Sequence, residues 1–144
     1  MIKIICIGKL KETYLKEAEK EYLKRLSKYT KLEIIELLDD NLIKEKERII
    51  NSIKPKDNLI LLDIGGTLKT SEEFSKLIND ELTMKSNITF IIGSSNGVDE
   101  EIKQLCNKKI SMSKLTFPHQ LFRIMLLEQI YRSFKIINNE TYHK

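Results

Sequence analysis

The amino-acid sequence predicts an α/β fold with a mainly parallel β-sheet and helices on both faces of that sheet. Short apolar runs alternate along its 144 residues with longer segments whose apolar residues recur at helical spacing. The strands are therefore joined by helices, as in the βαβ units of parallel sheets. No repeat, low-complexity tract or linker interrupts this alternation, so we expect a single domain over residues 1–144.

The first part of the chain is predicted to contain two strands and two helices. Residues 1–7 (MIKIICI) and 32–38 (LEIIELL) are apolar runs of strand length. Residues 12–28 carry apolar side chains three and four positions apart with charges between them, which predicts a helix. Residues 41–53 form a second predicted helix, which ends before Pro55 because proline cannot continue a helix.

The middle of the chain is predicted to contain one strand and one helix. Residues 58–63 (NLILLD) indicate a buried strand, after which a Gly-Gly pair at 65–66 is expected to turn the chain. Thr70 and Glu73 have the spacing of a capping box, which opens a helix predicted over residues 71–83.

The last third is predicted to contain two strands and two helices. Residues 88–92 (ITFII) form the most apolar predicted strand. A short helix follows at about residues 98–107, and a weaker strand at 109–113. Pro118 then favours the start of a final helix, predicted over residues 119–137.

Three loops are candidates for ligand binding, because ligands of parallel sheets bind beyond the carboxyl ends of the strands. They follow Asp63, Ile92 and Met112. Asp63 itself is interpreted as a carboxylate that holds a turn or caps a helix.

The loop at residues 93–97, Gly-Ser-Ser-Asn-Gly, has glycines that would let a ligand approach the backbone. Its spacing matches neither a dinucleotide fingerprint nor a P-loop. Asp99, Glu100 and Glu101 follow it and would repel a phosphate. We therefore expect a ligand without a phosphate, bound through backbone groups. A tight turn that binds nothing is the alternative.

The charge of the chain is unevenly distributed. Residues 1–100 contain 17 Lys and Arg against 18 Asp and Glu, whereas residues 101–144 contain 8 against 3. A basic end on a neutral body indicates contact with nucleic acid, although a solvated helix face would give the same composition.

A membrane span, a secretion signal and a metal site are not expected. No apolar run approaches the roughly 18 residues of a membrane helix. Cys6 and Cys106 lie far apart without a CxxC motif, which is typical of free thiols in a reducing cytoplasm. His119 and His143 have no ligand spacing to another histidine or to a cysteine, so we predict no metal.

The last helix is apolar over most of its circumference, which predicts burial on two sides, by the sheet and by a second subunit. Glu128 and Arg132 are spaced as an i,i+4 ion pair. Arg123 has no carboxylate one turn away in either direction, which makes it a candidate contact for a phosphate or a base. A partner elsewhere in the fold is the alternative.

The chain ends in Tyr142, His143 and Lys144. This tail combines a stacking ring, a proton-exchanging group and a cation, a mixture typical of RNA-binding surfaces.

Several segments together resemble the RlmH-type (YbeA-like) methyltransferases of the SPOUT superfamily, which modify large-subunit ribosomal RNA. They are LLD at 61–63, FIIGSSNG at 90–97, SMSKLTFPHQLFRIMLLEQIYRSFKI at 111–136 and the final TYHK. The opening IKIICIGKLKETYLKEAEKEYLKRLSKYTKLEIIEL is also similar to that family, so the resemblance covers nearly the whole chain.

The resemblance implies that the C-terminal part of the α/β domain forms a deep trefoil knot, which holds S-adenosylmethionine. This cofactor has no phosphate, in agreement with the interpretation of the glycine loop. By position, the residues that contact it would be Leu62, Gly93, Met112, Ser113, Lys114, Leu115, Thr116 and Phe117.

The resemblance also implies a homodimer that methylates N3 of a pseudouridine in helix 69 of 23S rRNA, on assembled 70S ribosomes, and the cysteine usage predicts that it does so in the cytoplasm. The RNA site would be shared between the subunits. We expect His143, from the tail of the second subunit, to assist the departure of the N3 proton. Tyr142 would position the base, and Arg123 would contact phosphate.

Two positions depart from the pattern of the family. Its members usually have two consecutive glycines after the strand, and the second is Ser94 here, whose side chain could narrow the pocket or require a negative φ. Lys144 stands where many relatives have arginine. Two other classes stay open: a different nucleotide-binding α/β enzyme, and an RNA-binding module without turnover.

Overall fold

The computed structural model describes residues 1–144 and contains a five-stranded sheet in the order β2-β1-β4-β3-β5. Every adjacent pair of strands is parallel, as the sequence predicts for most of the sheet. The strands are β1 (Ile2–Ile7), β2 (Leu32–Leu37), β3 (Leu59–Leu68), β4 (Ile88–Ile92) and β5 (Lys108–Ser111).

Five helices cover both faces of this sheet. Helices α1, α3 and α5 share one hydrophobic core with the sheet, and α2 and α4 share a second, smaller core on the opposite face. The prediction of helices on both faces is confirmed. The helices are α1 (Thr13–Leu26), α2 (Leu42–Ser52), α3 (Ser71–Lys85), α4 (Glu100–Leu105) and α5 (His119–Ile137).

Strand β1 shows why a continuous apolar run forms the centre of the sheet. All six of its residues are buried. Ile2 and Ile4 belong to the core of α1, α3 and α5, whereas Ile5 and Ile7 belong to the core of α2 and α4. Successive side chains of a strand point to opposite faces, so a strand covered on both faces needs apolar residues at nearly every position.

Local sequence signals set the starts of two helices. The predicted capping box at α3 is present, because the Thr70 side chain accepts from the Glu73 backbone and the Glu73 side chain accepts from the Thr70 backbone. The Asn41 side chain caps α2 by accepting from the Lys44 backbone at 2.9 Å.

The predicted end of β3 is wrong. The strand continues to Leu68, and its pairing with β5 shifts between Leu62 and Thr67. The Gly-Gly pair therefore lies inside the extended strand. A Cβ at Gly66 would lie 2.7 Å from the backbone of Ile110, so the glycine permits the close approach of β5.

The two short elements near the C-terminus, in contrast, are shorter than predicted. Helix α4 begins at Glu100 because the Asp99 side chain caps it, and β5 ends at Ser111, so Met112 lies in a loop. Helix α5 follows Pro118 as predicted and packs against α1 and α3. None of the five helices combines the length and apolarity that crossing a membrane requires.

Candidate functional site

A cavity of about 350 Å³ lies at the carboxyl ends of β3 and β4, where the three predicted loops meet. Its volume is within the range of small-molecule sites. The lining comprises Leu61, Leu62, Asp63, Ile64, Ile92, Gly93, Ser94, Ser95, Gly97, Val98, Ile110, Ser111, Met112, Ser113, Leu115, Thr116, Phe117, Pro118, His119 and Phe122.

The loop after β4 is folded back on itself at Gly93. A Cβ at this position would lie 2.5 Å from the carbonyl oxygen of Gly97 and 2.7 Å from Cγ1 of Val98. Only glycine fits there, because the nearest atom belongs to the backbone and cannot rotate away. Gly97 has a φ of +79°, which a side chain rarely adopts.

Ser94 points its hydroxyl at helix α2. Its Oγ donates to Oε1 of Glu45 at 2.9 Å, and Oε2 of the same carboxylate accepts from the backbone N–H of Asp40 at 2.9 Å. Glu45 is buried, and Ser94 is not among the residues with positive φ. The departure from Gly-Gly is therefore accommodated by a negative φ and by a buried acceptor for the hydroxyl.

The segment after β5 is held by its own serines. The Ser111 hydroxyl donates to the carbonyl oxygen of Ser113 at 2.9 Å, and the Ser113 hydroxyl accepts from the backbone N–H of Leu115 at 3.0 Å. Seven of the eight residues predicted to contact a cofactor line the cavity, and Lys114 does not. That these residues bind a cofactor stays a prediction.

The electrostatic character of the cavity disfavours a phosphate. Its lining contains no lysine or arginine, and its one carboxylate is Asp63. The interpretation of Asp63 as a helix cap is wrong, because Thr70 caps the following helix. A negative charge beside apolar walls suits a ligand that carries a cation and an apolar ring system.

S-adenosylmethionine fits this arrangement. It has a sulfonium cation and no phosphate, and half of the lining residues are apolar. Gly93 and Gly97 line the cavity without side chains, so they present only backbone groups to a ligand. Sequence reasoning missed Val98, Phe122 and His119 as lining residues. Their position beside the predicted loops is the only signal that points to them.

Arg123 does have partners, and the prediction that it is unpaired is wrong. Its side chain is 2 % exposed. Nη1 donates to Glu19 of α1 at 3.1 Å and to Glu36 of β2 at 2.6 Å, and Nη2 donates to the carbonyl oxygen of Gly8 at 3.0 Å. A guanidinium enclosed in this way is not accessible to an RNA phosphate.

The first turn of α5 is fixed to the loop after β1. The side chain of Gln120 accepts from the backbone N–H of Lys11 at 2.9 Å. A Cβ at Gly8, where φ is +100°, would lie 3.2 Å from Nε2 of His119. His119 therefore lies over Gly8 at the edge of the cavity, and Arg123 holds the same loop one turn further along α5.

The tail lies on α5 and α3 of its own chain. The Tyr142 hydroxyl donates to Oε2 of Glu128 at 2.6 Å, and the Arg132 guanidinium lies 4.9 Å from the centre of the Tyr142 ring. The hydrogen bond to Glu128, followed by burial, raises the pKa of Tyr142 to about 12. Its phenol is therefore a hydrogen-bond donor, not a base, at neutral pH. The predicted Glu128–Arg132 pair is present at 2.8 Å.

Both ring nitrogens of His143 have partners. Nδ1 lies 3.0 Å from Nη1 of Arg132, and Nε2 lies 2.6 Å from Oε1 of Glu72. Because a guanidinium can only donate, Nδ1 accepts, and in the neutral ring Nε2 carries the proton and donates to Glu72. In this arrangement His143 has no free nitrogen that could accept a proton.

Comparison with known proteins places the chain in a family. Residues 1–143 match the family described as "Predicted SPOUT methyltransferase". The chain is 48 % identical to ribosomal RNA large subunit methyltransferase H of Caldicellulosiruptor saccharolyticus, over 100 % of both chains. It is 52 % identical to the proteins of that name from Clostridium botulinum strain Okra and Clostridium kluyveri, over 99 % of each chain. The chain belongs to the SPOUT methyltransferase family.

Proposed function

We propose that this chain methylates N3 of a pseudouridine in helix 69 of 23S rRNA, with S-adenosylmethionine as methyl donor and the assembled 70S ribosome as substrate. The observation that carries the proposal is the cavity of about 350 Å³, which lacks cationic side chains, in a chain of the SPOUT family. The relatives named above, which match the full chain, are large-subunit rRNA methyltransferases.

The donor would be held by the loops that line the cavity, which include Leu62, Gly93 and Met112. When bound, it supplies a methyl group attached to a positively charged sulfur. Asp63 would lie on the side of the positive charge, while Phe117 and Phe122 enclose the apolar part and exclude water. The chain's main contribution would be to hold the donor in a fixed position relative to the acceptor base, which lowers the entropic part of the barrier.

The acceptor RNA would meet the tail. Tyr142 and His143 are anchored to Glu128, Arg132 and Glu72, so their two rings would be held in fixed positions against the acceptor. We assign both residues to positioning of the acceptor. Arg123 is left out of this assignment, because its guanidinium is enclosed by Glu19, Glu36 and Gly8.

The protein would act as a homodimer. Exposed large apolar side chains lie on the first turns of α1 and α5, at Tyr14 (66 % exposed) and Leu121 (38 %). The hydrogen bond between Lys11, two residues before α1, and Gln120, in the first turn of α5, brings the starts of the two helices together. A second subunit would cover this region and share the RNA site.

The C-terminal part would be threaded as a deep trefoil knot within a single domain. β5 is an edge strand, whereas α5 packs on α1 and α3, so residues 112–118 cross the carboxyl end of the sheet. Six of these seven residues line the same cavity as the extended β3 and the loop after β4. A large domain fused to the C-terminus should therefore slow refolding much more than the same domain at the N-terminus.

The decisive experiment measures transfer of a labelled methyl group from S-adenosylmethionine to RNA, at the ionic strength of the cytoplasm. We expect transfer to 70S ribosomes that lack the modification, and little transfer to naked 23S rRNA. Calorimetry should detect binding of S-adenosylhomocysteine and no binding of ATP or NAD, because the cavity has no cationic side chain to pair with a phosphate. Binding of ATP or NAD, or donor binding with no transfer to any ribosomal substrate, would contradict the proposal.

A further inference from the structure

A second cavity, of about 180 Å³, lies beside the first. Met112 lines both cavities, and the backbone N–H of Lys69 donates to the carbonyl oxygen of Ser111 at 3.0 Å, which joins their walls. This volume is about half that of the first cavity, so it suits one flat heterocycle better than a whole nucleotide. The lining comprises Lys69, Thr70, Ser71, Phe74, Met112, Met125, Glu128 and Gln129.

The second cavity has apolar walls and a polar rim. Phe74, Met112 and Met125 supply an aromatic ring and two polarisable thioethers, which are favourable neighbours for a flat ring. Lys69 is the one cation of the lining. It is half-buried and forms no ion pair with the chain. The amide oxygen of Gln129 accepts from the Ser71 hydroxyl at 2.8 Å, and the amide nitrogen donates to Glu128 at 3.5 Å.

We propose that this second cavity receives the uracil-type ring of the acceptor nucleotide, and that the Lys69 ammonium stabilises the negative charge that the ring acquires when N3 loses its proton. The proposal rests on the proposed function. In a uracil-type ring, two carbonyl oxygens flank N3. Lys69 and the Gln129 amide supply N–H donors for those oxygens, and the shared Met112 places N3 beside the donor cavity.

The reaction balances as follows. The N3–H of the ring gives its proton to solvent water, because neither Tyr142 nor His143 has a free basic atom. The N3 lone pair then forms the bond to the methyl carbon. The bond between that carbon and sulfur breaks, and its electron pair stays on sulfur, which becomes a neutral thioether. A cation beside the ring favours the deprotonated form that attacks.

The carboxylate on which Lys69 acts is Glu73, whose pKa is lowered mainly by its hydrogen bonds with Thr70 and less by the charge of Lys69, and the two form no ion pair. Glu128, on the rim, is paired with Arg132 at 2.8 Å and accepts from Tyr142. Of the two acidic residues in the first turn of α3, Glu73 is held in the capping box, and Glu72 is bonded to His143. The acidic groups nearest the cavity are therefore engaged by other donors.

The first test uses the four methionines of the chain, labelled with carbon-13 at their methyl groups. Met112 lines both cavities, Met125 lines the second only, and Met1 and Met84 line neither; Met84 is 79 % exposed. Addition of S-adenosylhomocysteine should shift the Met112 signal and leave Met125 unchanged. Subsequent addition of the nucleoside pseudouridine should shift Met112 and Met125, with Met1 and Met84 as internal controls.

Each outcome of this test is informative. If S-adenosylhomocysteine leaves Met112 unchanged, the proposed function fails. If Met112 responds to it and Met125 does not respond to pseudouridine, only the acceptor cavity is overturned. A Met125 signal that instead changes on dilution of the protein would mean that a second copy of the chain fills the cavity, which also overturns the proposal.

The second test compares the pH dependence of single-turnover methyl transfer between the Lys69→Gln variant and the wild type. Loss of the nearby cation should raise the apparent pKa of N3, as read from the pH dependence of the rate, by about one unit. The rate at neutral pH should fall about tenfold and recover as the pH rises towards 9. Lys69→Arg should retain the wild-type profile, and Lys76→Gln, at an exposed lysine of α3 paired with Asp80, is the matched control.

Lys69→Gln should also bind S-adenosylhomocysteine as the wild type does, because Lys69 does not line the donor cavity. A rate loss of equal size at every pH would assign Lys69 to RNA docking and overturn its role at N3. An unchanged rate in Lys69→Gln would overturn it as well.

Discussion

Gly93 is the residue on which the shape of the donor cavity depends most directly. Gly93→Ala would place a methyl group 2.5 Å from a backbone oxygen. We expect at least a tenfold loss of affinity for S-adenosylhomocysteine, measured by calorimetry, because the loop must open to relieve the clash. Unfolding in urea should show a loss of about 1–3 kcal/mol, the usual effect of overpacking.

Gly65 supplies the matched control for this substitution. A Cβ there would make only ordinary contact, at 3.5 Å from Oδ2 of Asp63, and its φ is not positive. Gly65→Ala should bind the donor product nearly as the wild type does. Equal binding by Gly93→Ala and Gly65→Ala would mean that the loop at Gly93 does not shape the site.

Substitution of Arg123 should lower the stability of the fold more than it weakens binding to RNA. Arg123→Gln removes the bonds to Glu19, Glu36 and Gly8 and leaves two carboxylates without their cation. We expect a loss of about 3 kcal/mol in the free energy of unfolding, near the lower end for buried pairs because Glu36 is partly exposed. Arg25→Gln, which breaks an exposed pair with Glu21, should change stability little. If Arg123→Gln kept the wild-type stability and bound ribosomes more weakly, the prediction that Arg123 contacts an RNA phosphate would hold after all.

At the residue scale, sequence reasoning succeeds where partners are close along the chain and fails where they are distant. The Thr70–Glu73 box and the Glu128–Arg132 pair lie within one helical turn, and both were predictable. The partners of Arg123 lie 104 and 87 positions away. No pattern along the chain reports such a contact, because it depends on the order of the strands.

The tail is the element whose removal should separate methyl transfer from donor binding. Deletion of residues 142–144 removes the bonds to Glu128, Arg132 and Glu72 but no group that lines the donor cavity. We expect methyl transfer to ribosomes to fall below detection, while the affinity for S-adenosylhomocysteine stays within about twofold. Calorimetry and the transfer assay on the same preparation measure both quantities.

Thr141→Ala is the control for this deletion, since Thr141 is exposed and precedes the anchored residues. It should retain both activities. If the deletion abolished donor binding as well, the tail would support the fold, and its assignment to the acceptor would be wrong.

Among the elements, the helices whose apolar residues recur at regular spacing were predictable, whereas the end of a strand that lacks such a pattern was not. The long helices α1, α3 and α5 lie within a few residues of their predicted bounds. The predicted end of β3 lies five residues before the observed one, because a Gly-Gly pair usually turns a chain and here lets it continue beside β5. The three candidate loops do meet at one cavity, as a parallel sheet requires.

At the scale of the whole molecule, association of two chains should depend on the region around α1 and α5. Leu121→Glu places a charge where a second subunit would cover an apolar side chain. Sedimentation should show the wild type at twice its 16.9 kDa chain mass and the variant shifted towards the monomer. Methyl transfer should fall with the dimer fraction, whereas binding of S-adenosylhomocysteine should change less.

Leu105→Glu makes the same change at a similarly exposed leucine of α4, which packs on the opposite face of the sheet. It should remain a dimer. Dissociation of Leu105→Glu with an intact Leu121→Glu dimer would move the interface to the face of α2 and α4.

The position of the donor cavity along the chain has a consequence for biosynthesis. More than half of the lining residues come from the stretch between Ile110 and Phe122 or from the adjoining loop after β4. A nascent chain whose C-terminal end is still inside the exit tunnel cannot assemble these walls. Translation products truncated before Ile110 would therefore carry four of the five strands and lack half of the lining residues, so they would form no complete donor site.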